Sequence, residues 1–253
     1  MTTVKNIYDY INEIAPFDLQ ESYDNSGLCI GSMECSVDRV LIALDCTRNV
    51  AQEAVKKGCQ LVVTHHPIIF HALKKIDFNS LAGFLTMSKI GVVSAHTNFD
   101  SAKMNDILCE KLGLVTKEPL VVENGVPCGY VCDCENPVMP KEMAKIIKSN
   151  LGNTVVRYND TGKKLKRIGV CSGSGGSFLE NVLSKGCDGY ITGDVKHDVF
   201  IDSANASLCV FDAGHFHTEN IFCEYTKNAL SEKFKDVEFI IAENSKDILS
   251  YEI

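Results

Sequence analysis

Short runs of β-branched residues alternate with amphipathic stretches along most of this 253-residue chain, and that alternation constrains its fold class. VDRVLIALD predicts a buried strand, NVAQEAVKKG a helix closed by Gly58, and QLVVT a second strand. A helix around SLAGFLTMSKIG leads to the strand VVSAH, and MNDILCEKLG supplies the next helix. Strands that are apolar on both faces and joined by helices belong in a mostly parallel sheet covered on both sides. Ahead of them, Val4, Ile7, Tyr8, Ile11 and Ile14 recur at helical spacing, giving a first helix that stops before Pro16.

The rhythm changes between Lys117 and Pro140, where Pro119, Gly125, Pro127, Gly129 and Pro137 interrupt a segment holding the strand-like CGYVCDC. A domain boundary is expected near Glu123, giving one α/β domain over 1–123 and a second over 124–253. The second half restarts with the helix MAKIIKSNLG and the short strand NTVVRY. KRIGVCSG then runs into a Gly-rich turn and a helix. DGYITGD, a helix from Val195, SLCVFDAG, the helix IFCEYTKNALSEKF and a last strand, VEFIIAE, follow in turn.

Composition narrows the partners. With 45% hydrophobic and 23% charged residues the chain has enough apolar content for substantial cores. A net charge of −8 argues against a basic nucleic-acid-binding surface. It leaves a phosphate-bearing small substrate open, because bound cations invert the local field. No apolar run reaches bilayer length and MTTVKNIYDYINEI is not a signal-peptide pattern, so no membrane association is expected. Most of the twelve cysteines lie in apolar runs, among them Cys46, Cys59, Cys171, Cys209 and Cys223, as free thiols do in a reducing cytoplasm.

The chemistry sits where strands run out. LVVT ends in His65–His66, VVSA in His96-Thr97-Asn98-Phe99-Asp100, GYIT in Gly193-Asp194, and LCVFDA in Gly214-His215. In open α/β sheets ligands bind outside the carboxyl ends of strands. His215 and Glu219, four apart at a helix start, share one face and offer two ligands. His65, His66, Asp100, His215 and Glu219 together supply donors for two ions with open positions, as a hydrolytic centre needs. Asp100 is alternatively a helix N-cap. His96 and His197 are candidates for proton transfer or for orienting a ligand, with Asp194 beside them; His71 follows the HHP loop and is placed to touch substrate. His217, two residues beyond His215, is expected to face away into solvent. CSGSGGS opens a helix but lacks the lysine of a phosphate-binding P-loop, so a tight turn is the plainer reading. Cys128, Cys132 and Cys134 share one strand face as buried small residues, and Asp24–Asn25 shape a turn.

THHP, HTNFD, the GD strand end and GHxxxE, together with YDNSGLCIG, resemble the Nif-three-like family over essentially the whole chain, in the right order. That family is also described as GTP cyclohydrolase 1 type 2 homologues. The resemblance implies two linked α/β domains with mostly parallel sheets, a dinuclear metal site in the cleft between them, and a ring-like homohexamer. It implies that His66 and Asp100 complete one divalent ion, that His65 and His215 complete the other, and that Glu219 bridges. The ions would be zinc, iron, manganese, nickel or cobalt, since His and carboxylate donors accept all of these. Where the family often shows a histidine pair, this chain has His197 followed by Asp198.

The expected function is a metal-dependent hydrolase resembling GTP cyclohydrolase 1 type 2, in which activated water opens a purine ring and His96 or His197 moves protons. A phosphoester or amide hydrolase is the alternative that keeps the metals. A non-catalytic metal-binding ring protein is the alternative that drops the chemistry.

Overall fold

The computed structural model describes residues 1–123 and 125–252. Its strands, in chain order, are β1 Gly27–Ile30, β2 Arg39–Ala43, β3 Leu61–Thr64, β4 Gly91–Ser94, β5 Val115–Glu123 and β6 Val126–Val138. They continue as β7 Arg157–Tyr158, β8 Leu165–Val170, β9 Gly189–Thr192, β10 Cys209–Asp212 and β11 Glu238–Ile241. The chain forms two compact units: Met1–Ala102 with Phe222–Lys246, and Lys103–Ile221 with Asp247–Ile253.

The first unit holds the sheet β1-β4-β3-β2-β11. β4, β3, β2 and β11 are mutually parallel, and β1 pairs with β4 in the opposite sense. Val40, Leu41, Ile42, Val62, Val63, Val92 and Val93 are fully buried, each worth about 1.5–3 kcal/mol of apolar burial. The register aligns Ala43 with Thr64 and Thr64 with Ser94, so the carboxyl ends of β2, β3 and β4 reach one edge together. Helix Arg48–Lys56 joins β2 to β3; Thr47 caps it by accepting the Val50 N–H, and Gly58 leaves it at φ +67°.

The second unit holds the sheet β5-β6-β8-β9-β10-β7. Its centre, β8-β9-β10, is parallel, while β5, β6 and β7 are added in the antiparallel sense. Here too the register brings Val170, Ile191–Thr192 and Asp212 to one edge. Cys132 and Cys134 are buried on β6, and Cys132 Sγ lies 3.3 Å from Cys109 Sγ.

The expected boundary near Glu123 is not where the units divide. Glu123 closes β5 and pairs with Val126, so the Gly- and Pro-marked segment is a hairpin inside the second unit. Asn124, the expected first residue of the second domain, lies outside the described residues. The last helix and strand also change allegiance. β11 adds to β2 in the first unit, and the segment after it is held by Glu53, whose carboxylate accepts from Glu243 N, Asn244 N and Asn244 Nδ2 at 2.8–3.0 Å.

Candidate metal centre

In the first unit three parallel neighbours each deliver a polar residue just past the strand. Asp45 follows β2, His65 and His66 follow β3, and His96 follows β4. The strand breaks at this point, as Pro67 requires, so the two adjacent imidazoles need not point to opposite faces. Their ring centroids lie 4.9 Å apart, and that of His96 lies 5.2 Å from His65 and 5.4 Å from His66. One potential ligand atom from each of the three falls within 4.8 Å of the other two.

The rings are fixed from behind. His65 Nδ1 donates to the Ala95 carbonyl, His66 Nδ1 to Asp45 Oδ1 and His96 Nδ1 to Asp24 Oδ1, each at 2.8 Å. A carbonyl or an ionised carboxylate can only accept, so the proton sits on Nδ1 and each ring presents Nε2. This is the arrangement that orients metal-binding histidines. His65 is fully buried, with Phe99 and Phe222 ring centroids 6.4 and 5.4 Å away.

Asp24 is the most heavily bonded of these acceptors. Besides His96 it takes the Thr97 N–H and Oγ1–H, the Ser26 Oγ–H and the Asn25 N–H. Burial alone would raise its carboxyl; the hydrogen bonds from His96, Thr97 and Ser26 hold it well below the usual carboxylate range.

Asp100 reaches the same neighbourhood through the turn that follows His96. Phe99 N and Asp100 N both bond to the His96 carbonyl, and Asp100 opens a π-helical turn, Asp100–Met104. Such turns often accompany functional sites. Asp100 Oδ1 lies 3.5 Å from His65 Nε2.

In the second unit the expected helix face is present. His215 and Glu219 bound the helix His215–Glu219, and His215 Nε2 lies 2.9 Å from Glu219 Oε2. His215 Nδ1 pairs with Asp194 Oδ2 at 2.7 Å, so Asp194, at the carboxyl end of β9, does for His215 what Asp45 does for His66. The Glu219 hydrogen bond, against the pull of burial, raises the His215 imidazole to about 9.

The Gly-rich turn after β8 has a different use from phosphate binding. Ser172 N donates to Asn105 Oδ1, Gly173 N to Thr218 Oγ1 and Gly175 N to Thr192 Oγ1, so these amides are engaged inside the fold. What Gly173 supplies is room. At φ +60° it passes so close to the helix that a Cβ would stand 2.2 Å from Glu219 Oε1 and 3.6 Å from His215 Cε1.

Imidazole nitrogens and carboxylate oxygens, pre-oriented and partly buried, suit divalent ions of the zinc, iron and manganese group. The glycine-lined space at Glu219 fits a carboxylate that must take up a ligand. The structure leaves other sequence candidates apart. His197 is exposed at the start of helix His197–Asn205, and His71 is exposed beside Phe70. His217, expected to be exposed, is 9% exposed, with Nδ1 3.8 Å from Asp247 Oδ2. A five-residue helix whose far side packs inward buries it.

Asp45 and Asp24 went unrecognised as site residues in the sequence. Asp45 had a signal, because it stands two residues past β2 as His66 stands two residues past β3. Asp24 had only the turn YDNSG, with its partner 72 residues away.

The family model described as Duf34/NIF3 (NGG1p interacting factor 3) matches residues 2–248. A GTP cyclohydrolase 1 type 2 homolog of Clostridium perfringens is 35% identical over 257 residues, covering 96% of this chain and 97% of its own. A GTP cyclohydrolase 1 type 2 of Helicobacter pylori is 31% identical, covering 88% and 89%. Among solved structures, a Staphylococcus aureus hypothetical protein superposes with a TM-score of 0.90 at 24% identity over 99% of both chains. Reduced HcgD from Methanocaldococcus jannaschii gives 0.82 at 29% identity, covering 96% and 98%. Among the described residues no helix is long and apolar enough to cross a membrane.

Proposed function

We propose that this chain, which belongs to the Duf34/NIF3 (NGG1p interacting factor 3) family, is a hydrolase working with two divalent ions, most like the GTP cyclohydrolase 1 type 2 among its relatives. In this reading His65, His66 and Asp100 from the first unit, and His215 and Glu219 from the second, are the ligands, with Glu219 bridging. One observation supports it above others. His65, His66 and His215 each have Nδ1 bound to a fixed acceptor, which turns Nε2 outward as a donor.

When bound, the ions would acidify a water and polarise a substrate oxygen. The chain's part is to hold the donors still. Ala95, Asp45 and Asp194 fix the tautomers and ring planes. Gly173 keeps space for the Glu219 carboxylate, and Phe99 and Phe222 exclude water behind His65. His96, whose ring lies 5.2 Å from His65 and 5.4 Å from His66, or His197, exposed at the start of helix His197–Asn205, is assigned to proton transfer. The substrate is taken as a nucleotide, whose purine imidazole carbon would leave as formate. A cytoplasmic, hexameric ring belongs to the same proposal, and light scattering tests the assembly.

Purified protein supplied with metal is expected to release formate from GTP, and Glu219→Ala to abolish it. No turnover of GTP by metal-replete wild type would overturn the cyclohydrolase. Turnover of a phosphoester or amide in its place would keep the metals and change the bond. Metal binding without turnover of any of these would leave a metal-binding ring protein.

A further inference from the structure

Two aromatic side chains of the first unit stand exposed beside the strand-end histidines, and the ligand set above gives them no task. We propose that Tyr23 and Phe70 are base-binding residues, on whose rings the purine of a nucleotide substrate stacks. The inference rests on the reading of this centre as one that acts on a nucleotide, and adds how the base is held. In that reading the reacting carbon belongs to the base, so the base itself must be brought to the metal edge and kept there. The five ligands cannot do this.

Placement supports the assignment first. The Phe70 ring centroid lies 6.2 Å from that of His96 and 6.3 Å from that of Tyr23. His71 joins the group, its ring 5.1 Å from Phe70. Phe70 comes four residues after His66, and Tyr23 immediately precedes Asp24, the acceptor for His96 Nδ1. The two rings are thus carried by different loops that meet beside one histidine.

Exposure then separates them from the other aromatics of this region. Phe99 and Phe222, against His65, are buried in the core. Tyr23 is 63% exposed and Phe70 39%. An aromatic face left in water gains from a flat partner, and a nucleobase offers one.

The loops are also tied to each other. Asn25 Nδ2 donates to the Ile69 carbonyl at 2.6 Å, joining the turn that carries Tyr23 to the segment that carries Phe70. Between Tyr23 and Asn25, the Asp24 carboxylate takes five donors from Asn25, Ser26, His96 and Thr97. Rings mounted on backbone that is already held lose little freedom when a base arrives. The same five bonds occupy Asp24, so it cannot also read a base edge, and the ring faces remain. Stacking reads a π face, so this contact alone does not separate guanine from adenine.

Binding of 7-deazaguanosine monophosphate to zinc-loaded protein, measured by equilibrium dialysis beside ribose 5-phosphate, tests the assignment. The two ligands share sugar and phosphate and differ only in the base, and carbon in place of the imidazole nitrogen keeps the ring from opening. Tyr23→Ala and Phe70→Ala should each weaken the nucleotide by about 5–150-fold, the loss of one base–aromatic stack, and leave ribose 5-phosphate unchanged. Tyr23→Phe and Phe70→Tyr, which keep the ring, should bind as wild type does. Phe78 is exposed farther along the same loop and, among the described residues, has no ring contact with a histidine, so Phe78→Ala should change neither ligand. Zinc content and melting of each variant guard against misfolding.

A second readout needs no affinity. The fluorescence of 2-aminopurine riboside monophosphate, which stacking quenches, should fall on adding wild type and fall less with either alanine variant. Unchanged nucleotide affinity in both alanine variants overturns the proposal. So does an equal loss for ribose 5-phosphate, or a nucleotide that wild type binds no better than ribose 5-phosphate. Altered light scattering with base binding intact assigns the rings to a contact between copies and equally overturns it. The cyclohydrolase reading fails separately. Ring-dependent binding without formate release from GTP would keep these two residues and remove that reaction. Formate release with unaltered KM in both alanine variants would keep the reaction and remove the stack.

Discussion

A Cβ on Gly173 would stand 2.2 Å from Oε1 of Glu219, well inside contact distance, so any side chain here would displace that carboxylate. Gly173→Ala is expected to push Glu219 off the His215 side of its helix while leaving both sheets formed. Metal titration should show both ions weakened by 10-fold or more, with far-ultraviolet dichroism unchanged. An alanine variant that binds both ions at wild-type affinity would show that Glu219 needs no such room. The positive φ adds about 1 kcal/mol or more of strain, visible as a lower melting temperature.

Asp45 and Asp194 stand behind His66 and His215 respectively. Asp45→Asn and Asp194→Asn can each turn an amide N–H toward Nδ1, which favours the other imidazole tautomer and blocks Nε2 as a donor. Each is expected to lower metal affinity by about 10–100-fold without unfolding the protein. Chelator competition measures this directly. Equal affinities in wild type and both variants would remove these two carboxylates from the site.

Glu53 links acid stability to the docking of the last strand. Burial works to raise its carboxyl, but hydrogen bonds from Lys57, Glu243 and Asn244 outweigh it and bring the value to about 2 from the ordinary 4.5. A depressed carboxyl contributes stability that is complete above about 4.5 and is lost as pH falls toward 2. A shift of this size corresponds to about 3 kcal/mol. Glu53→Gln should therefore lower unfolding free energy by about 1–3 kcal/mol at neutral pH. Urea unfolding at stepped pH should show the gap between variant and wild type closing between 4.5 and 2. A gap independent of pH would point to packing in place of charge.

Metal should also act on stability. Zinc at 100 times its dissociation constant adds about 2.7 kcal/mol to a protein that binds it only when folded. For chain lengths of this order that is a rise of roughly 5–10 °C in melting temperature. The rise should be reversed by chelator and diminished in His65→Ala. A melting temperature indifferent to both would argue that the histidines are structural.

The strand ends were the legible part of this chain. His65, His66 and His96 follow β-branched runs and His215 an apolar one, and each stands just past a carboxyl edge in its own unit. Period and composition could not assign strands to units. β11 has the same apolar pattern as β10, and only its parallel pairing with β2, across some 200 positions, places it in the first sheet. β5 was obscured for a different reason. It lies at a sheet edge with Val115 and Val122 exposed and with Pro119 inside it, which edge strands tolerate and central strands do not. The supporting carboxylates were the least visible, because an aspartate in a turn looks the same whether or not an imidazole leans on it.

The first unit is built from two separated segments, Met1–Ala102 and Phe222–Lys246, with most of the second unit lying between them. During synthesis, Lys103–Ile221 therefore leaves the ribosome as one continuous stretch and can collapse at once. The first unit must wait with β2 as a bare edge until β11 emerges. A ribosome stalled or a gene truncated before residue 238 would release a chain whose middle is folded and whose opening sheet has an unfilled slot. Such an edge invites pairing with another nascent chain. The closing strand thus governs when in its own birth this protein becomes safe from its neighbours.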